Sequence, residues 1–265
     1  MSTNDESLRL VEPELSGGKI SKEKIASEIE NSDATELTIS GLRQDTFEFL
    51  LENYVDKFHV INFWKCPRVE DLSPFELAGN LQKITWFWNQ KCTSLWDFSK
   101  TRALVVLHIK DFQKVRSIEE ISKSRSLETL ELEGGMWKNA KIDSFAPLIE
   151  LSTLKTLSFS VSPADQKVRP FTQIKGLREL QFSPKIFKTE QIAWLKSKIG
   201  DEVESDVLTS HWKENDFTGK DTLIIGKRKP FLDSRTQKEK IIKYIKQFDD
   251  LVEYYKRHPD VEEPI

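Results

Sequence analysis

Large apolar residues recur along this chain in one spacing: apolar, two variable positions, apolar, one variable position, apolar. The pattern occurs at Phe58, Ile61, Phe63; Leu81, Ile84, Trp86; Leu104, Leu107, Ile109; and Leu127, Leu130, Leu132. It continues at Leu154, Leu157, Phe159 and at Leu177, Leu180, Phe182, with a weaker copy ahead of the series at Ala34, Leu37, Ile39. Its starting positions, 34, 58, 81, 104, 127, 154 and 177, are 24, 23, 23, 23, 27 and 23 residues apart. A period of this length marks a stacked repeat, in which each unit buries its apolar face against its neighbours. The last two apolar positions of each unit alternate with variable ones. This is the period-2 pattern of a strand buried on one face.

The pattern and period resemble a leucine-rich repeat array, in which a short strand is followed by a helical or extended return. Asn or Cys is expected at the ninth position of such a repeat. Cys66 and Asn89 meet it, while Phe112, Gly135, Ser162 and Lys185 depart from it. The stretches VEDLSPFELAGNL and KIDSFAPLIELSTL resemble the return segments of internalin-like bacterial repeats. The resemblance covers roughly residues 34–201 and implies an α/β solenoid with a parallel concave β-sheet. It bears on fold; specificity resides in the variable positions.

The flanks read as helical caps, giving three regions. Residues 1–33 are a polar, acidic tail and a short helix with Ile20, Ile25 and Ile29 on one side. Residues 34–201 are the array of about seven repeats. Its last unit leads into a helix with Ile192, Leu195 and Ile199 inward and Gly200 as its stop. Residues 202–265 hold one more strand within DTLIIG and a long helix with an apolar stripe of Ile241, Ile245, Phe248, Val252 and Tyr255. That stripe can dock on the end of the array, or it can serve as a seam for a homodimer.

In each strand the fourth and sixth positions of the repeat point inward, and the third, fifth and seventh point onto the concave face. Trp86 is therefore core. Phe87, at the seventh position, is expected to be exposed on the concave face, and Trp88, at the strand's exit, is expected on the exposed rim. The seventh position of the preceding unit is Trp64. Adjacent strands lie about 4.8 Å apart, so Trp64 and Phe87 should stand side by side. Val60 and Val106 also face outward, and His108, Lys110, Glu131 and Glu133 follow on the next two units. Aromatics rimmed by charge are the usual composition of a protein-binding hot spot. The alternative is that a cap, or the four-residue insertion carrying Met136 and Trp137, folds over the rings.

Charge adds little to this picture. The net charge is -3, so no global excess favours nucleic acid. Residues 220–258 carry eleven Lys/Arg against six Asp/Glu, which reads more readily as a solvated helix. No apolar run of about 18 residues is present, so no membrane-spanning helix is expected. The N-terminus lacks the apolar region of a secretory signal, and the two cysteines do not form a disulfide framework. A bacterial cytoplasmic protein is the resulting expectation.

Reaction machinery is not recognisable. There is no phosphate-binding glycine loop, H-E-x-x-H, G-x-S-x-G or C-x-x-C. His59, His108, His211 and His258 have no Cys or carboxylate at local metal-ligand spacing, so no metal or cofactor is expected. The leading expectation is non-catalytic recognition of a protein partner through the concave face. A self-associating structural protein, and an immunity or inhibitor protein that blocks a toxin or enzyme, are the alternatives.

Overall fold

The computed structural model describes residues 7–11, 19–135, 140–200, 202–214 and 219–265. The chain enters through β1 (Ser7–Leu10), α1 (Lys22–Glu30), β2 (Glu36–Ser40) and α2 (Gln44–Tyr54). There follow β3 (Val60–Trp64), β4 (Lys83–Asn89), β5 (Val106–Phe112), β6 (Thr129–Glu133), β7 (Lys141–Ile142), β8 (Thr156–Phe159), β9 (Ser162–Pro163) and β10 (Glu179–Phe182). Apart from β7 and β9, these strands form one eight-stranded sheet in the order β1-β2-β3-β4-β5-β6-β8-β10. Every pairing in it is parallel.

The register follows the sequence repeat. Leu37, Ile61, Ile84, Leu107, Leu130, Leu157 and Leu180 lie opposite one another, and all are buried. Two residues on, Ile39, Phe63, Trp86, Ile109, Leu132, Phe159 and Phe182 form a second buried column. The chain is thus an α/β leucine-rich repeat solenoid on the register of its own strands. Sheets of this kind need cover on the convex side. Helices α1 and α2 supply it in the first two units. Later units use shorter 3₁₀ turns, at Ser73–Leu77, Glu119–Lys123, Ala146–Glu150 and Arg169–Thr172. Three of these four start with Pro at the first or second position, where its missing N–H costs no hydrogen bond. Each buries a large apolar side chain: Phe75, Ile121, Leu148 and Phe171 in turn.

At the N-terminal end the structure adds a strand within the stretch read as an acidic tail. β1 pairs with β2, setting Leu8 opposite Leu37 and Leu10 opposite Ile39. Helix α1 therefore links two strands and packs against α2 as a return segment. The Ser21 hydroxyl caps it by accepting the Lys24 N–H at 3.2 Å.

At the other end, α3 (Thr189–Lys198) closes the last unit. The strand expected within DTLIIG forms as β12 (Thr222–Ile224), but outside the array. It sits in an antiparallel three-stranded sheet between β11 (His211–Lys213) and β13 (Phe231–Leu232). Helix α4 (Lys238–Arg257) lies along α3, and its Phe248, Val252 and Tyr255 join the main core. Ile241 packs instead with Ile224 and Leu232. The stripe that a homodimer seam would need is thus occupied within the chain. The segment after α4 is tied back to the array. The Glu263 carboxylate accepts the N–H groups of Val168 and Arg169 at 2.9 and 2.7 Å, and the Trp194 indole donates to the Val261 carbonyl at 3.0 Å. No described helix is long and apolar enough to cross a membrane.

Asn89 holds adjacent turns together. Its buried amide donates to the carbonyls of Cys66 (3.2 Å) and Val69 (2.9 Å) in the preceding unit. Its side-chain oxygen accepts the N–H groups of Lys91 (3.0 Å) and Cys92 (2.9 Å). Deleting it strands several buried polar groups at once. Asn89→Ala should lower unfolding free energy by about 2–4 kcal/mol. Urea denaturation of the pair checks this; a loss below about 1 kcal/mol would mean the turn repacks without its amide.

Candidate functional site

Strand alternation turns every second side chain onto the concave face. Trp64 stands opposite Phe87, Phe87 opposite Lys110, and Lys110 opposite Glu133. One step back along the strands, Asn62, Thr85, His108 and Glu131 form the neighbouring row. The Trp64 and Phe87 rings lie 4.6 Å apart between centroids, tilted by 35°. Trp64 is 42% exposed, large for an indole, while Phe87 is half-buried. The Lys65 ammonium sits 5.4 Å from the centre of the Trp64 ring, within cation–π range.

Beside the rings is a depression of about 410 Å³ lined by Thr38, Asn62, Phe63, Trp64, Thr85, Phe87, His108 and Lys110. Four of the expected site residues therefore meet in one place: Trp64, Phe87, His108 and Lys110. Glu131 and Glu133 adjoin them through His108. Val60 and Val106 are half-buried at the opposite ends of their strands and do not line the depression. Thr38 lines it too, supplied by the weakest copy of the repeat. Met136 and Trp137, the residues expected in the insertion, lie outside the described residues.

Trp88 and Phe87, both expected to be exposed, are half-buried; Trp88 also departs from the extended conformation. Its backbone is left-handed, with φ of 68°, so strand alternation no longer fixes the direction of its side chain. The same turn recurs at the same point of successive units: Gly41 (φ 71°), Lys65 (φ 55°) and Asp111 (φ 59°). Such a backbone costs a non-glycine residue on the order of 1 kcal/mol or more, offset here by the surrounding ladder.

The charged half of the face is tightly paired. His108 Nδ1 lies 3.3 Å from Glu131 Oε2, and His108 Nε2 lies 3.0 Å from Glu133 Oε1. The Lys110 ammonium contacts the other oxygen of Glu133. Partial burial pushes the Glu133 carboxyl up, but Lys110 and His108 outweigh it and hold the group below its ordinary range. Among the described residues, His108, Glu131 and Glu133 are the one set of three His, Cys, Asp or Glu side chains close enough to hold a metal ion. Local spacing could not reveal them, because the partners lie one repeat apart in sequence.

No protein-family model matches the sequence, and no curated protein matches it. Among solved structures, internalin C2 from Listeria monocytogenes is 21% identical, with a TM-score of 0.45, over 57% of this chain and 62% of that one. An internalin (inlF) from the same species is 16% identical, with a TM-score of 0.33, over 70% of this chain and 62% of that one. The chain thus spans less than two thirds of the length of either.

Both thiols are sequestered. Burial pushes Cys66 up to about 12 and Cys92 up to about 11, far above the range in which a thiolate forms at neutral pH. Neither should react with a disulfide reagent at pH 8 in the native protein, and both should react once it is unfolded in guanidinium. A stoichiometric native reaction would place a thiol outside the core.

Proposed function

We propose that this chain is a non-catalytic recognition protein that binds a protein partner through its concave sheet. The observation that carries the reading is the outward pair of rings, Trp64 and Phe87, beside a depression large enough for a partner side chain. Tryptophan is among the residues most enriched at binding hot spots, and central, well-packed aromatics dominate interface energy. Polar groups line the same depression, with Asn62, Thr85 and His108 at the sheet. The paired charges of His108, Lys110, Glu131 and Glu133 would set the partner's orientation. Their mutual pairing suits orientation better than proton transfer, since both ring nitrogens of His108 already face carboxylates. Blocking a toxin or an enzyme is one form such recognition can take. A cytoplasmic setting belongs to the same proposal and is consistent with two buried, unpaired cysteines.

The test starts with affinity capture from an extract of the source organism, with the native protein beside Trp64→Ala, Phe87→Ala and the outward control Ser158→Ala. Circular dichroism would first establish that all fold alike. Any captured protein is then purified and titrated directly. Each ring, if buried in the complex, contributes about 2 kcal/mol or more. Each alanine variant should therefore weaken binding about thirtyfold, with the control within twofold. Equal affinity for all four proteins would place the binding surface elsewhere.

A further inference from the structure

We propose that His108, Glu131 and Glu133 form a binding site for one divalent transition-metal ion of the zinc class on the concave sheet. The three side chains come from neighbouring parallel strands, so their backbones are held by the ladder. His108 lies directly opposite Glu131 in the register, and Glu133 follows two residues later on the same face of β6. One donor atom from each lies within 4.8 Å of the other two. Tetrahedral zinc with ligand distances near 2.1 Å needs donors roughly 3.4 Å apart. In the metal-free arrangement Glu131 faces Nδ1 of His108 and Glu133 faces Nε2, so one carboxylate must swing to the other's ring nitrogen for all three donors to meet at one ion.

The donor set is chemically selective. An imidazole with two carboxylates suits zinc and its transition-metal neighbours, whereas magnesium and calcium favour all-oxygen shells. Three protein ligands leave a fourth position for water or for a donor from another molecule. The side chains are 23%, 37% and 34% exposed, so the site is partly withdrawn from water and still reachable. Without metal, both carboxylates already face the imidazole, and Lys110 shares Glu133. Zinc coordinates an imidazole through a ring nitrogen that carries no proton, so protons compete with the ion for the site. Lys110 is the competitor, because its ammonium holds one of the ligating carboxylates. The site does not depend on the recognition reading above.

The direct test is calorimetric titration of the chelator-stripped, full-length protein with zinc chloride, with cobalt(II) absorption as a second readout of the ligands. One ion should bind per chain. Both His108→Ala and the near-isosteric Glu131→Gln should weaken binding at least about tenfold. Lys110→Met should tighten it severalfold, a response that a purely structural ion-pair network would not give. Millimolar magnesium should not compete. If native protein fails to bind zinc at 100 μM, or if His108→Ala binds it unchanged, the cluster is an ion-pair network only and the proposal falls.

Discussion

Parallel pairing at a fixed register constrains everything else in this molecule. Side chains on a strand alternate with a period of two, so a slip of one residue would move a whole column from core to solvent. Here seven successive strands keep the same alignment, from Leu37 to Leu180, although one unit is four residues longer than its neighbours. The outward columns follow from it. Trp64 meets Phe87, and His108 meets Glu131, only because Phe63 meets Trp86 and Leu107 meets Leu130 on the other face.

The register is held from inside by aromatic packing and from the turns by hydrogen bonds. Phe63 stacks on Trp86 at 4.4 Å, and Phe47, Phe75 and Phe112 meet the same indole edge to face. Such ring contacts contribute beyond the area they bury and favour one geometry over others. Phe112 stands where the repeat would carry Asn, so one unit replaces a turn amide with packing against Trp86. At Gly135, the equivalent position of the next unit, an added Cβ would lie 2.1 Å from the Asp111 carboxylate, so a side chain there would require the Asp111 side chain to move aside. The inner layer fixes the register and with it the outward face, which carries the exposed Trp64 beside the half-buried Phe87 and the paired charges.

Much of the fold was legible in the sequence, because each unit repeats a large apolar residue at positions the sheet cannot tolerate as polar. The inward columns and the outward pair of Trp64 and Phe87 follow from spacing, whereas the stripe on α4 left docking and a homodimer seam open until its packing was seen. Strand β1 was not legible: only Leu8 and Leu10 mark it, in a polar stretch 29 residues ahead of Leu37 and Ile39. Trp88 was misplaced because alternation holds for extended backbone and fails at a left-handed residue. The strand within DTLIIG showed its apolar pattern but not its partners, since pairing with β11 and β13 depends on loops of no fixed spacing. The grouping of His108 with Glu131 and Glu133 lies between these cases. Each residue was assigned outward by its position, but only the register brings the donor atoms together.

Hydroxyl-radical labelling of the native protein, read residue by residue by mass spectrometry, tests this account most directly. The register leaves Trp64 the accessible ring of its neighbourhood, with Phe87 labelled more slowly and Phe63 and Trp86 protected. That order of reactivity is the predicted result. Rapid labelling of Phe63 and Trp86 with protection of Trp64 would mean the strands are paired one residue out of step, and the concave face described here would be the inside of the protein.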